Sequence, residues 1–488
     1  MKSTLLASPV AAALLTACGS ITGPVIADDR PHDFGMHVER LLHAQSAKLF
    51  GFEKPLRESA PATRGTYRTL GQSTSDQILL AHGLKAEYLT RDAADLTDMM
   101  AFYPILHPTH LMTCVEGNRA EIAPGKFNPS VQRINLTTGQ VETLLRGMSG
   151  CDGIRVTPWG TLLVTEERSD GSAYEIIDPL NVTNQTVINR DAGTLTDPAH
   201  IAKRTALPVM AWEGLMVLPN GVIIAGDELR PGTATANANG GAIFKFIPQT
   251  PRTDTAHITH LADSPLVAGN VYTMQVSCVH DKVQSGQGCE VGNAAWLPVD
   301  AAMARASADA KGATGYYRPE DLHQDLLYND PTKPNAVRFC WTNTGNENAG
   351  NYAEVICGID SEPLTADASK RSVVVNRFIE GDSDFNSFDN LDFQPGSGNL
   401  YVVEDHPNGD IFACLPDGAD RDIKTDGCVR MLSVKDSSAE PTGFIFSSDG
   451  TTAYVSIQHS DDTTMPTVDD YGTDDIIKIT GFKGVKKP

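Results

Sequence analysis

Three stretches of the chain begin and end on side chains able to hold a cation, at one fixed interval. CDGIRVTPWGTLLVTEE (Cys151 to Glu167), WEGLMVLPNGVIIAGDE (Trp212 to Glu228) and FDNLDFQPGSGNLYVVEDH (Phe388 to His406) each step fifteen positions between two such residues: Cys151 to Glu166, Glu213 to Glu228, and Asp389 to Glu404. EPTGFIFSSDGTTAYVSIQH (Glu440 to His459) is a looser copy. Adjacent carboxylates at a strand end repel each other and lose hydration when buried, so a segment that only filled a core would gain nothing from them. Each acid taken singly reads about as well as a solvated turn residue. Taken as a set with Glu320, they predict a carboxylate-rich ring with one sulfur, neutralised by metal ions.

The ligand types bear on which metal. Clusters of oxygen alone suit calcium, whereas a thiolate among carboxylates suits a softer or redox-capable ion such as iron. No HExxH or CxxC is present and the 13 histidines are scattered, which argues against zinc. DSDFNSFDN (Asp382 to Asn390) has the spaced oxygens of a calcium loop but lacks the EF-hand glycine and closing glutamate, so it reads as an Asx-rich loop leading into Asp389. P-loop, GxGxxG and GxSxG motifs are absent, which removes the usual nucleotide and serine-hydrolase readings. GYYRPEDL (Gly315 to Leu322) adds a guanidinium, Arg318, two residues before Glu320. A planar fork there suits a pair of phosphate oxygens and would stabilise charge on a transferring phosphoryl group; the alternative is a salt bridge to a neighbouring acid.

Hairpins are the elements that would bring these residues together. Each copy reads as a short apolar strand, a turn at Gly160, Gly221, Gly398 or Gly450, and a second apolar strand, which returns both ends to one sheet edge. Turn spacings of 52 and 61 residues indicate a repeat, with propeller blades as the natural β unit. THLMTCVEGN and NAVRFCWTNTGN supply two more second strands, giving about six blades whose inner strands would converge on one channel mouth. The expected fold is therefore all-β: a six-bladed β-propeller over residues 96–488, preceded by an N-terminal extension (19–95) with one amphipathic helix near MHVERLLHAQSAKLF.

Composition agrees. The 488 residues are 41% hydrophobic, with 42 Gly and 29 Pro, and the formal net charge of −22 argues against nucleic acid or an anionic membrane surface as partner. MKSTLLASPVAAALLTAC is too short and apolar in the wrong proportion to span a bilayer and reads as a secretory signal, residues 1–18, ending in a lipobox-like Leu-Thr-Ala-Cys with Cys18 as the lipidated residue. The expected location is the bacterial cell envelope, with membrane contact only through that lipid. In an oxidising compartment Cys278 with Cys289, Cys340 with Cys357, and Cys414 with Cys428 read as local disulfides. Cys114 and Cys151 remain, as a fourth disulfide or as free thiols kept for chemistry.

CDGIRVTPWGTLLVTEE, YYRPEDL, FDNLDFQPGSGNLYVVED and EPTGFIFSSDGTTAYVSIQH, in this order over roughly residues 100–462, resemble segments of the PhoX-type alkaline phosphatases. The resemblance implies a six-bladed propeller whose channel holds iron with calcium and hydrolyses phosphate esters. It implies that Cys151 is an iron thiolate, that Glu213, Glu320 and Asp389 are ligands, that Glu166, Glu228 and Glu404 are further ligands, and that Arg318 grips the substrate phosphate. The family's Asn-His-Glu triplet at the end of the first blade aligns here with Cys114, Val115 and Glu116; only the carboxylate is kept, and Glu116 joins the candidate ligands. The family's twin-arginine signal is also absent. The function expected is a metal-dependent phosphomonoesterase acting on a small phosphate ester. The alternatives are a calcium-stabilised propeller that binds a ligand or protein partner without catalysis, and a calcium-dependent lactonase-like hydrolase, which would not need Arg318 or Cys151.

Overall fold

The computed structural model describes residues 34–63, 67–232, 239–276, 290–416, 427–461 and 463–484. The signal segment with Cys18, and the Cys278 and Cys289 pair, lie outside the described residues. The chain is all-β and propeller-like. Six inner strands, β1 (Thr97–Tyr103), β2 (Cys151–Val156), β3 (Trp212–Val217), β4 (Pro319–Gln324), β5 (Phe388–Phe393) and β6 (Glu440–Phe446), follow one another in a ring in which each lies against the next and β6 lies against β1. Each pairs antiparallel with the strand that follows it, as the hairpin reading anticipated.

Separate blades were expected; the sheets are partly fused. Four sheets of four to six strands accompany one continuous nine-stranded sheet that carries both β3 and β4. The fusion runs through the strand Gly292–Val299, whose first residues pair with Val373–Val375 of the β4 unit while its remainder pairs with the strand Gly269–Gln275 of the β3 unit. The boundary drawn at residue 95 also shifts. Strand Lys85–Ala94, within the stretch read as an extension, pairs with the C-terminal strand Thr473–Thr480 and so completes the sheet of β6. Strands Lys85–Ala94 and Thr473–Thr480 thus lock the ring together, with Arg68 and Arg91 both bonded to buried Asp475 across that closure. The predicted helix is present as α1 (Phe34–Leu49), and its Leu42 is buried in the apolar cluster beside the β5 and β6 units, with Val38 and Leu49 packed alongside.

Val, Ile, Leu and aromatic residues at alternate positions fill the spaces between sheets, and all four tryptophans (Trp159, Trp212, Trp296, Trp341) are fully buried. Cys340–Cys357 and Cys414–Cys428 are disulfides, each joining directly opposed residues of neighbouring antiparallel strands. Among the described residues no helix is long and apolar enough to cross a membrane.

Candidate metal centre

One backbone device recurs in all six units. The register between each inner strand and its partner slips by a residue: Thr97 faces Val115 but Met100 faces Thr113, Cys151 faces Glu166 but Ile154 faces Val164, and the same slip follows Trp212, Pro319, Phe388 and Thr442. The extra residue is a β-bulge, which bends the strand and re-aims a side chain. Immediately after the last regular pair stand Asp98, Asp152, Glu213, Glu320 and Asp389, an acid in five of the six units. In the sixth the place falls to Gly443, and the Thr442 hydroxyl lies within hydrogen-bond distance of Asp98 Oδ1 at 2.5 Å and of Asp389 Oδ2 at 3.2 Å. These five carboxylates are almost completely buried.

A second tier comes from the residue just past each partner strand: Glu116, Glu167, Glu228, Thr344, Asp405 and His459. Together with Arg318, Gln458 and Glu440, most of both tiers line a cavity of about 110 Å³ in which nine of the twelve lining residues are acidic. Burial first, and then the neighbouring acids, push Asp98, Asp152, Glu167, Glu213 and Asp389 well above the usual carboxylate range. Glu320 is raised too, chiefly by burial, although Arg318 pulls the other way. Two groups of carboxylate oxygens lie within 4.8 Å of one another: Asp152, Glu167 and Glu213, and Glu213, Glu320 and Asp389. Glu213 is common to both. Asp152 Oδ1 and Glu213 Oε2 are buried with no hydrogen-bond donor among the described residues, an arrangement that costs several kcal/mol of lost solvation unless a cation or proton takes the place of water. The donor set is all oxygen, and it fits a hard divalent cation.

Arg318 enters this ring from a left-handed backbone turn (φ 64) immediately before β4. Gly150, Leu96 and Ser387 hold the same conformation just before β2, β1 and β5, so the turn belongs to the repeat. The guanidinium donates to Glu228 Oε1, approaches Glu320 Oε1 at 2.8 Å and donates through Nη1 to Asp405 Oδ2 at 2.6 Å. Its side chain is about one quarter exposed, and Nη2 makes no hydrogen bond to the described residues.

Of the residues expected from sequence, Glu116, Glu213, Glu320, Asp389 and Arg318 line the cavity, and Glu228 touches it through Arg318. Three do not serve as read. Glu166 is buried against the other side of its strand, where it accepts from Ser149 N at 2.9 Å and Ser172 N at 3.2 Å and is clasped by Arg190. Glu404 likewise accepts from Asn386 N at 2.9 Å and Asp410 N at 3.0 Å. Cys151 is joined to Cys114 in a disulfide with Cα atoms 5.0 Å apart, so its sulfur is not a thiolate ligand. Both cysteines end or begin strands that meet at the seam between the first two units, close enough for the bond.

The acid doublets now have a physical account. In Glu166-Glu167, Asp227-Glu228 and Glu404-Asp405 the first acid clamps backbone amides of the turn that leads into the inner strand; Asp227 does so through Ala211 N at 3.0 Å. The second, turned the other way, faces the ring. Sequence reading therefore missed Asp98, Asp152, Glu167, Asp405, Glu440 and His459. The signal that could have found three of them, Asp152, Glu167 and Asp405, is adjacency to Cys151, Glu166 and Glu404.

Residues 233–461 match the family of alkaline phosphatase PhoX. The resemblance to PhoX proteins read from the sequence thus holds over a segment that includes Arg318, Glu320, Asp389, Asp405, Glu440 and His459, while Asp98, Asp152, Glu167 and Glu213 precede it. No curated protein matches the chain by sequence. Similar solved structures include a luciferin-regenerating enzyme (10% identity, 83% of this chain and 99% of that one, TM-score 0.40), the PQQ-bound aldose sugar dehydrogenase of Streptomyces coelicolor (11%, 82% and 99%, 0.39) and the WD40 β-propeller domain of Doa1 (8%, 82% and 97%, 0.38).

Proposed function

We propose that this protein is a calcium-dependent phosphomonoesterase of the bacterial envelope, built as a PhoX-like propeller. The observation that carries the reading is the PhoX match across residues 233–461, because it contains Arg318, the one guanidinium among the described residues that lines the ring cavity. We count the ring as six blades, with the nine-stranded sheet as two blades fused at their outer strands. Asp152, Glu167 and Glu213 would hold one ion and Glu213, Glu320 and Asp389 another. Calcium bound there would neutralise the carboxylates and polarise a phosphate oxygen. Arg318 supplies the fixed positive charge: three carboxylates hold the guanidinium, and Nη2 is left for a phosphate oxygen. The buried disulfides support the envelope location, since such bonds persist in oxidising compartments. Export behind the lipobox-like segment ending at Cys18 is part of the same reading.

The iron thiolate is not part of this proposal, because Cys151 is disulfide-bonded and no cysteine among the described residues lines the cavity. That same bond favours a second reading, a calcium-stabilised propeller that binds a ligand without catalysis, since it consumes a residue to which the PhoX resemblance gave a role and occupies the place of its Asn. One experiment separates them. Purified protein with calcium is assayed on 4-nitrophenyl phosphate and on a simple lactone, with its metal content measured. Phosphate ester turnover that a chelator abolishes is expected. Bound calcium with no turnover of either compound selects the second reading, and lactone turnover alone selects a lactonase-like hydrolase.

A further inference from the structure

We propose that His459 is the general acid that protonates the leaving oxygen of the ester; the proposal rests on the phosphatase reading of this site. Its place in the repeat comes first. His459 occupies the position just past a partner strand that elsewhere supplies Glu116, Glu167, Glu228 and Asp405, and it puts an imidazole where the other units mostly put carboxylates. The side chain is about half exposed, so it stands at the mouth of the cavity where a leaving alcohol departs.

Its orientation is fixed from both sides. Nε2 lies 3.2 Å from Glu440 Oε1, and the preceding residue is anchored through Gln458 Nε2 to Glu116 Oε2 at 3.1 Å. The backbone at His459 is left-handed (φ 61), a conformation that costs energy for a residue with a side chain and that clusters at functional sites. With Nε2 held by a carboxylate, Nδ1 carries no hydrogen bond to the described residues and is the nitrogen available to a substrate. This is the arrangement of an acid–base imidazole oriented by a third group. The hydrogen bond to Glu440, aided by the charges of Glu116 and Asp474, pushes the imidazole up to about 9, so it is protonated at neutral pH. His406, the other histidine paired with a glutamate near the ring, lines a different cavity with Glu404.

In the reaction, the oxygen of a water molecule bonds to phosphorus and its released proton passes to solvent. The ester P–O bond breaks, its electron pair stays on the ester oxygen, and the Nδ1 proton of His459 passes to that oxygen to give the alcohol. The imidazole then regains a proton from solvent, and the sum is ester plus water giving alcohol plus phosphate. An acid of this kind contributes about 10²–10⁴-fold, and most where the leaving group is a poor one.

The test is a series of phosphate monoesters graded by leaving-group acidity, from 4-nitrophenyl to alkyl, with His459→Asn; Asn tolerates the left-handed backbone and cannot supply the proton. The expected result is a loss in kcat/KM of about 10²–10³-fold for the alkyl ester and less than about tenfold for the nitrophenyl ester. Glu440→Gln, a positioning change, should move both in the same direction by less, and it keeps the test open if His459→Asn does not fold. Equal losses across the series, or none, overturn the proposal. Wild-type protein that hydrolyses no member of the series overturns the phosphatase reading itself, whereas hydrolysis with an unchanged leaving-group dependence in the variants overturns only the role of His459.

Discussion

Glu320 and Asp321 are neighbours in β4, both about 2% exposed, yet they live in opposite electrostatic worlds. Glu320 faces the ring, where burial and the surrounding acids hold its carboxyl well above the usual range despite Arg318. Asp321 faces the other way, and although burial opposes its charge, His323 and Arg155 hold it down to about 2. Its oxygens accept from Leu322 N at 2.7 Å, Arg155 Nη2 at 3.0 Å and Leu391 N at 3.2 Å, and His323 bridges it to Asp392 at 3.1 and 3.3 Å. Two buried acids one residue apart thus show that burial alone does not mark a metal ligand. The mark is burial without enough counter-charge or donors. Asp321, Glu166 and Glu404 have donors at both carboxylate oxygens, whereas Asp152 and Glu213 each keep one buried oxygen with no donor among the described residues.

The comparison breaks first at Arg318. If the Arg318 guanidinium binds phosphate, Arg318→Ala should lower kcat/KM on 4-nitrophenyl phosphate by about a hundredfold or more with calcium retained. Unchanged turnover returns Arg318 to a purely structural ion pair. The cysteines give the next effect. Replacing Cys114 and Cys151 together by alanine should cost about 2–4 kcal/mol of stability and leave the calcium content as it was, because neither cysteine lines the ring cavity. Loss of metal in that variant would restore a ligand role to Cys151. Mass spectrometry of unreduced peptides should recover the linked pair.

Glu213 sharpens the ring itself. Being common to both oxygen groups, its replacement by Gln should release both ions, while Asp152→Asn and Asp389→Asn should each release one, as read by metal analysis. At a hundredfold excess of calcium over its Kd the lost stabilisation is about 2.7 kcal/mol per site. The pH dependence has a definite sign. A carboxyl raised in the folded state keeps its proton while the unfolded chain releases it, so metal-free protein should lose stability as pH rises from about 4 toward the raised folded values. Melting temperatures of stripped protein should therefore fall between pH 5 and 8, and saturating calcium should remove that fall.

The smallest effect is expected in the balanced network. Burial and Arg155 oppose charge on His323, but Asp321 and Asp392 outweigh them and raise it. Its contribution is present below the ordinary value of about 6.5 and is lost as pH rises through the raised folded value. His323→Gln should cost about 1–3 kcal/mol at pH 6, less at high pH, and leave calcium binding unchanged. A change in metal content there would mean that the two regions are not independent.

Much of the architecture was legible because it is written in local chemistry. Alternating apolar runs, turn glycines and a recurrent spacing require hairpins in a repeat, and Arg318 beside Glu320 was visible as a basic group next to a ligand-type acid. Three members of the ring, Asp152, Glu167 and Asp405, lie one residue from a side chain that the spacing picks out. In Glu166-Glu167 and Glu404-Asp405 a fixed spacing picks one member of a doublet but carries no information on which face of the sheet it occupies. The slip of a single residue in the register decides that, and nothing in the composition of β2 or β5 announces the bulge. Asp98 was missed for a related reason: its unit has no second acid at the fifteen-residue step.

Sequence by itself therefore determined the all-β repeat, the PhoX resemblance, the two strand-to-strand disulfides within single hairpins, and the presence of more acid at the strand ends than a core can bury. These depend on spacing along one or two neighbouring strands. Tertiary structure alone decided that Cys114 meets Cys151, that β3 and β4 share a continuous sheet, that residues 85–94 close the ring against the C-terminus, and which acid of each doublet faces the ring. Those outcomes depend on how six bulged strands converge, because the charge state of a buried carboxyl is set by what lies within a few ångströms of it in space, across strands as far apart in the chain as Asp98 and Thr442.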